Sequence, residues 1–335
     1  MDKRILAIIC FVILFSLAAL MIFIPWPAEQ HYAEEPPAEN KLPQDQGKLQ
    51  VEAQNRYQRQ RIDFIKFVSS ENCLYLLDEK ETEELRKLNV NGIRICPLYS
   101  KDEFGNIRED IPESVVVALI ERAHNAGFAV FLEINAGGKP TESNEPESRY
   151  SSPEEIESLY KLALHWAKIA EEEKVEFFSP LNEPNLMFTN TELFNKWVSK
   201  SQELKKFFNG FLVLKLADLG PEKIPAITNY DYLAFDIMWS DSFYRELMEH
   251  IKRAVKKGNE LKNEYNLKGF FFGELGAERS KVDKDVQAEI FRIVFEETWQ
   301  NVDGYCFLGW SDLEFKFKDN EKAKEIIREW YAKQK

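Results

Sequence analysis

Short apolar runs of β-strand character alternate with helical segments along most of this chain, and this alternation limits the possible folds more than any other feature. Eight such runs follow residue 60. They are Ile62–Val68, Gly92–Cys96, Ala129–Ile134, Val175–Leu181, Phe211–Leu216, Tyr232–Ile237, Gly269–Gly273 and Gly304–Trp310. A strand–helix–strand pattern repeated in this way predicts a parallel sheet. Eight repeats favour an α/β fold of the closed (β/α)8 TIM-barrel type.

Local signals at the helix ends agree with this interpretation. The clearest helix start is Ser152-Pro153-Glu154-Glu155, in which a serine cap, a first-turn proline and two acids precede apolar residues at helical spacing. Four joints place a glycine just before an apolar run, at Gly92, Gly127, Gly210 and Gly269, and we expect these glycines to end helices in the left-handed conformation. An open doubly wound sheet would give similar signals, but the chain has no glycine-rich phosphate loop to support one.

The first 55 residues differ in composition from the rest of the chain. Ile5 to Ile24 form a run of 20 residues without a charge, preceded by Lys3 and Arg4, which predicts a transmembrane signal-anchor within residues 1–27. A cleaved signal peptide is the alternative, with weak cleavage sites at Ala28 and Ala33. Residues 28–55 have the composition of a disordered linker. We therefore expect a catalytic domain at 56–335 outside the cell, tethered to the cell membrane, or secreted if the first segment is cleaved.

Charge and cysteine content limit the partners and the compartment. The net charge of -13 argues against nucleic acid and other polyanions, while a neutral polymer remains compatible. Cys73, Cys96 and Cys306 lie in the part predicted to be exported, where an odd number of cysteines favours buried thiols over a disulfide framework. One bridge is compatible with the sequence, and Cys73 with Cys96 is the pair to test.

Two short segments carry the chemistry. Asn182-Glu183-Pro184 ends the fourth apolar run, and Gly273-Glu274-Leu275-Gly276 ends the seventh, so that two glutamates 91 residues apart follow strands of the predicted barrel. Catalytic groups of such barrels lie at the carboxyl ends of several strands, where these glutamates would meet. One carboxylic acid and one carboxylate on opposite sides of a glycosidic bond are what its hydrolysis requires. The alternatives are a turn at Pro184 and a carboxylate held by nearby backbone amides.

With these motifs the chain resembles the clan A glycoside hydrolases, the barrel enzymes that include cellulases, β-mannanases and endo-galactanases. The resemblance covers residues 60 to 332, although its specific motifs are a few residues each. It implies that Glu183 is the acid/base and Glu274 the nucleophile, and that Asn182 binds the sugar 2-hydroxyl. It also implies that Arg94, a charge inside the second strand, keeps the nucleophile ionised. A structural ion pair of Arg94 with Glu133 is the alternative.

Aromatic residues are further candidates for sugar contacts. The resemblance implies that Trp310 forms the floor of the sugar site, although a core tryptophan would give the same sequence. Trp239, Tyr244 and Tyr99 follow strand ends and are candidate stacking groups, or ordinary loop packing. The sequence departs from the cellulases, since it lacks histidines near the ends of strands three and six. It carries no recognisable metal-ligand spacing, so we expect neither a metal nor another cofactor.

These observations and the resemblance together predict a retaining glycoside hydrolase, endo-acting on a β-linked extracellular polysaccharide or oligosaccharide. A non-catalytic barrel that binds glycans or interacts with the cell envelope is the alternative. A barrel enzyme with an acidic metal site is a third option, with less support.

Overall fold

The protein was analysed as a computed structural model. The structure describes residues 57–70, 77–101, 106–137, 150–240, 243–311 and 314–335. The predicted membrane anchor and linker lie outside these ranges, and so does Cys73. Within the described residues no helix is long and apolar enough to cross a membrane.

Eight parallel strands of the described chain close into a barrel, which confirms the predicted fold class. The barrel strands are β1 (Ile65–Ser69), β2 (Gly92–Ile95), β5 (Ala129–Glu133), β6 (Phe177–Ser179), β7 (Phe211–Ala217), β8 (Tyr232–Trp239), β9 (Gly269–Ala277) and β10 (Gly304–Leu308). Their order around the barrel follows the chain, with β10 pairing to β1. Each predicted apolar run contributes one of these strands. A short antiparallel pair that the sequence analysis did not predict, β3 (Tyr99–Lys101) with β4 (Ile107–Glu109), follows β2.

Helices connect the strands. In the described residues they are α1 (Glu79–Lys87), α2 (Glu113–Asn125), α3 (Pro153–Glu172), α4 (Pro184–Met187), α5 (Thr191–Ser201), a 3-10 helix (Gln202–Lys206), α6 (Tyr244–Tyr265), α7 (Lys284–Thr298) and α8 (Glu321–Tyr331). The predicted start of α3 is confirmed, because Ser152 and Glu155 form a reciprocal capping box in front of Pro153. The apolar faces of these helices pack on the outward-facing side chains of the strands.

The prediction for the joint glycines is wrong at three of the four positions. Gly127 has a positive φ of 82°, as expected, whereas Gly92, Gly210 and Gly269 do not have a left-handed backbone. These three are glycines because a Cβ there would lie within 2.3 Å of an aromatic ring carbon of a neighbouring residue. At the joints before Gly92 and Gly269 an asparagine has the left-handed backbone instead, Asn89 in the first and Asn266 in the second. Close packing of rings against the strand starts, and not helix termination, selects glycine there.

Aromatic side chains fill the barrel interior near the amino ends of the strands. Phe177 is at the centre of this group, with ring centroids of its neighbours 5.1 to 6.5 Å away. We call this group the aromatic plug, and its members are Phe67, Phe131, Phe177, Phe211, Tyr232 and Phe271. Edge-to-face contacts predominate, which is the favoured geometry for aromatic pairs. The interior is therefore a packed core at this end.

The segment before β1 binds to the amino end of the barrel. Arg59 forms an ion pair with Glu171 at 2.6 Å and donates a hydrogen bond to a backbone carbonyl at 2.7 Å. Tyr57 donates to the buried Glu176 at 2.6 Å, and its ring stacks on His124 with centroids 3.7 Å apart. This segment is thereby fixed at the end of the barrel opposite to the carboxyl ends of the strands.

Cys96, directly after β2, is buried and disulfide-bonded, whereas Cys306 is a free, buried thiol. The expectation of free thiols is thus confirmed for Cys306 and wrong for Cys96. Cys73, the predicted partner, is outside the described residues, so this pairing stays a prediction.

Candidate active site

A layer of charged side chains lies above the aromatic plug. Successive side chains of a strand alternate between the two faces of a sheet, so positions two or four residues beyond an inward-facing residue, such as Gly92, Phe131, Phe211 or Tyr232, also face inward. These positions hold Arg94, Glu133, Lys215 and Asp236, and all four side chains are buried. Buried charges are tolerated only when they are paired. We call this group, together with Glu274, the charged layer.

Glu274 joins the charged layer because of a β-bulge. Phe235 pairs with Phe272, but Asp236 pairs with Glu274, so β9 contains one residue more than β8 in this interval. The pairing with β10 shifts in the same interval. Simple alternation from the inward-facing Phe271 would turn Glu274 outward, towards the helices. The extra residue turns Glu274 inward, opposite Asp236. The predicted bounds of this strand, Gly269–Gly273, placed Glu274 directly after it. In the structure the strand continues to Ala277, so Glu274 lies inside β9.

Arg94 contacts two carboxylates at once. Its guanidinium nitrogen Nη1 is 2.8 Å from Glu133 Oε1 and also contacts Glu274 Oε1. The side chain of Glu274 is 10% exposed, while those of Arg94 and Glu133 are 2% and 1% exposed. The sequence left open whether Arg94 pairs with Glu274 or with Glu133. In the structure its guanidinium contacts both carboxylates.

Lys215 is the second cation of the layer, and the sequence analysis missed it. Its Nζ atom is 2.9 Å from Glu274 Oε1 and 2.5 Å from the amide oxygen of Asn182. The same atom is 2.5 Å from Asp236 Oδ2 and 3.1 Å from Glu133 Oε2. A signal was present, because Lys215 is a full charge inside an apolar strand, as Arg94 is.

The surroundings of Asp236 disfavour its ionised form. Both its oxygens are buried, and neither has a hydrogen bond of good geometry within the described residues, although Oδ2 is close to Lys215. Burial raises the pKa of Asp236 well above its usual range, and the attraction of Lys215 opposes this rise without cancelling it. The negative charges of Glu183 and Glu133 raise the pKa further. A protonated Asp236 would leave the two cations of the layer balanced by Glu133 and Glu274.

Asn182 and Glu183 follow β6 on the rim of the same layer. The Asn182 backbone N–H donates to Ile134 O at 2.7 Å, which fixes the loop against the third barrel strand. Glu183 has a left-handed backbone, with φ 45° and ψ 52°, immediately before helix α4. Its side chain makes no cap hydrogen bond to that helix, and the residue is partly exposed.

The predicted aromatic residues have different surroundings. Trp310 is fully buried, packs on Phe317 with centroids 5.5 Å apart, and donates its indole N–H to Glu81 at 3.0 Å. Trp239 is the last residue of β8, and Tyr244 is the first residue of α6; both are partly buried against the core. The structure thus places Trp239 near the carboxyl ends of the strands and Trp310 within the packing below that surface. Their contacts with sugar stay predictions.

Tyr99 accepts a hydrogen bond from the Trp166 indole at 2.8 Å and is buried. The described part of the chain contains no group of three or more histidine, cysteine, aspartate or glutamate side chains arranged to hold a metal ion. At the centre of the charged layer the ammonium of Lys215 already lies among the carboxylates.

The arrangement defines a (β/α)8 barrel with a charged layer at the carboxyl ends of its strands, and comparison with solved structures agrees with this description. A GH113 β-1,4-mannanase aligns with a TM-score of 0.63 at 16% identity, covering 82% of this chain and 100% of the mannanase. The GH113 β-mannanase of Alicyclobacillus acidocaldarius aligns equally well, at 13% identity over 81% of this chain and 98% of that one. A GH5_18 protein of Bifidobacterium longum, in complex with Manβ1-4GlcNAc, gives a TM-score of 0.56 at 13% identity, with 80% and 78% covered.

These proteins are clan A glycoside hydrolases, so the resemblance in fold predicted from the sequence is confirmed. No protein-family model and no curated protein sequence matches the chain.

Proposed function

We propose that this barrel is a retaining glycoside hydrolase in which Glu274 is the nucleophile and Glu183 the acid/base. One observation carries the proposal: Glu274, the inward carboxylate of the seventh barrel strand, has two buried cations on its Oε1 atom. Opposite charges at this distance favour the ionised carboxylate, which is the form that attacks. Since both cations contact Oε1, Oε2 is the oxygen that attacks the sugar.

The reaction follows two balanced steps. Glu183 gives its proton to the oxygen of the leaving sugar while a lone pair of Glu274 Oε2 bonds to the anomeric carbon, and the glycosidic C–O bond breaks with its electron pair on the leaving oxygen. Glu183, now a carboxylate, then takes a proton from water, whose oxygen attacks the anomeric carbon and displaces Glu274. Two inversions give retention of configuration.

The substrate that we propose is a β-linked polysaccharide or oligosaccharide, cleaved within the chain. β-1,4-Mannans come first, because two of the structural neighbours are β-mannanases and a third binds Manβ1-4GlcNAc. Asn182, at the rim beside Glu183, would bind the 2-hydroxyl of the sugar. Trp239 and Tyr244 would contact neighbouring sugars, and Trp310 would support the floor of the site from below.

We also propose that the domain acts outside the cell. It would be tethered to the membrane by the anchor and linker predicted for residues 1–55, or released if the anchor is cleaved. The disulfide at Cys96 supports this location, because disulfides persist mainly in oxidising compartments. Fractionation of cells expressing the full chain, with protease added to intact cells, tests both parts of this proposal. Protection of the barrel from protease would overturn the external location.

The test of the enzyme uses the domain from Arg56 onward with mannans, galactans, β-glucans and xylans. Reducing ends should appear on at least one polymer, and proton NMR of the first product should show the β-anomer. Glu183→Ala and Glu274→Ala should each abolish release, whereas Glu278→Gln, a matched change just after β9, should retain it. An α-anomer as first product would overturn retention. Glycan binding without turnover in the unsubstituted domain would favour the non-catalytic alternative.

A further inference from the structure

The ammonium of Lys215 connects groups that the reaction must coordinate. Lys215 is fully buried, and its Nζ atom lies within 3.1 Å of four side-chain oxygens. Two of these contacts have hydrogen-bond geometry, to Glu274 Oε1 at 2.9 Å and to Asn182 Oδ1 at 2.5 Å. One side chain therefore bridges the proposed nucleophile of the seventh strand and the proposed sugar-binding amide after the fourth.

The chemistry of lysine fixes the orientation of the Asn182 amide. An ammonium group donates three hydrogen bonds and accepts none, whereas an asparagine amide presents an acceptor oxygen on one side and a donor nitrogen on the other. Only Oδ1 can face Lys215. The nitrogen Nδ2 must then face away from Lys215, and the backbone N–H of Asn182 already holds the residue against Ile134 O.

Space at the bulge allows this contact. A Cβ on Gly273 would lie 3.1 Å from Lys215 Cε and 2.7 Å from Asp236 Oδ1, so a larger residue there would displace one of them. The glycine that inserts Glu274 into the charged layer thus also leaves room for the lysine stem.

We propose that Lys215 is a positioning residue, which turns the Asn182 amide nitrogen towards the 2-hydroxyl of the bound sugar while it holds Glu274 in its attacking position. This inference rests on the proposed function. Lys215 does not touch the substrate itself, because its Nζ is enclosed by Glu274, Asn182, Asp236 and Glu133. It acts on the substrate through Asn182 and Glu274, and its removal should disturb recognition of the 2-hydroxyl and ionisation of Glu274 together.

The experiment compares aryl β-glycosides with and without the 2-hydroxyl in the unsubstituted domain and in Lys215→Met, whose side chain has similar length and no charge. In the unsubstituted domain, loss of the 2-hydroxyl should lower kcat/KM about a hundredfold or more, since that contact strengthens in the transition state. We call kcat/KM with the 2-hydroxyl divided by kcat/KM without it the 2-hydroxyl ratio. In Lys215→Met this ratio should fall to about tenfold or less. The acidic limb of the pH profile should also move to higher pH, because Glu274 loses a neighbouring positive charge. If Lys215 had only a structural role, the substitution would lower kcat/KM equally for both substrates and leave the pH profile unchanged. That result would overturn the proposal.

Two further variants complete the design. Lys205→Met is the matched control, because Lys205 precedes the same strand and is ion-paired with Asp231 at 2.5 Å, far from the charged layer. It should keep the 2-hydroxyl ratio. Asn182→Ala combined with Lys215→Met should show no further loss of that ratio, since both changes remove one interaction. If Lys215→Met does not fold, Lys215→Arg replaces it. Because arginine keeps the positive charge, the acidic limb of the pH profile should stay in place, while the 2-hydroxyl ratio should fall.

A carboxyl-carbon NMR titration of Glu274, assigned with Glu274→Gln, separates this inference from the proposed function. It needs no turnover, and in Lys215→Met the midpoint should rise. A higher midpoint in a domain that hydrolyses no glycoside would retain the role of Lys215 towards Glu274 and refute the glycosidase. Turnover with an unchanged midpoint would refute the role of Lys215 alone.

Discussion

Asp236 and Glu274 face each other across strands β8 and β9 because one extra residue in β9 shifts the register between Phe235 and Asp236. Without that shift only Gly273 of this pair would face the interior, and Glu274 would turn towards the helices. A local irregularity of the sheet thus decides whether the barrel has the proposed nucleophile at all, as is common for bulges beside active sites.

The first prediction concerns the space at this bulge. Gly273→Ala should destabilise the domain by about 1 to 3 kcal/mol, as overpacking of a core does, because the new methyl group would lie 2.7 Å from Asp236 Oδ1. Activity should fall with it, since Lys215 and Asp236 must move. Urea unfolding and hydrolysis assays measure the two effects. Gly127→Asn, where no atom lies within 4 Å of a Cβ and asparagine accepts the left-handed backbone, should change neither by a comparable amount.

The second prediction separates the two carboxylates that flank Lys215. Glu133→Gln leaves two cations with one negative charge, and should destabilise the domain by about 3 to 5 kcal/mol, the range for breaking a buried ion pair. Asp236→Asn should be far milder, because burial raises the pKa of Asp236 and its neutral form resembles an amide.

The pH dependence of unfolding tests the same prediction. A carboxyl group with a raised pKa binds its proton more tightly in the folded state, so stability falls as pH rises from the ordinary range of aspartate towards the raised value. Asp236→Asn should remove this slope. Equal destabilisation by the two substitutions would show that Asp236 is ionised in the folded protein.

The third prediction sets stability against activity at Glu183. A non-glycine residue in the left-handed region costs about 1 kcal/mol, and Glu183 has φ 45°. Glu183→Gly should therefore raise the free energy of unfolding by about that amount while abolishing hydrolysis. Glu192→Gly, in the first turn of α5 and with ordinary helical geometry, should lower stability and retain activity. Loss of stability in Glu183→Gly would mean that the carboxylate contributes to folding.

The fourth prediction concerns acid unfolding. Burial alone would raise the pKa of Glu171, but hydrogen bonds from Arg59 and the Asn209 backbone outweigh it and lower the pKa to about 2. A lowered pKa adds stability above the ordinary value, and this stability is lost as pH falls from about 4.5 to about 2. Arg59→Gln should remove about 1 to 2 kcal/mol at neutral pH, after allowance for solvent, and flatten this acid limb.

Thermal unfolding at a series of pH values measures this loss. Arg61→Gln, whose pair with Asp63 is largely exposed, should have little effect. An acid limb that is unchanged in Arg59→Gln would exclude Glu171 as its source.

The sequence was sufficient to predict the barrel, because eight apolar runs with helices between them have few other solutions. The sequence also indicated that Arg94 has a charged partner, since a charge inside an apolar strand is costly unless it is paired. Lys215 satisfies the same criterion, and period-two alternation would have placed it in one layer with Glu133 and Asp236. The bulge could not be predicted in this way, because register is a property of neighbouring strands and not of the pattern within one strand.

The aromatic plug limits the routes by which a substrate could reach the proposed site. Rings packed around Phe177 close the barrel below the charged layer, so no sugar chain can thread through the axis. In the proposed glycosidase, substrate and both products would share the opening at the carboxyl ends of the strands. A sugar chain would have to enter and leave on that one side of the barrel.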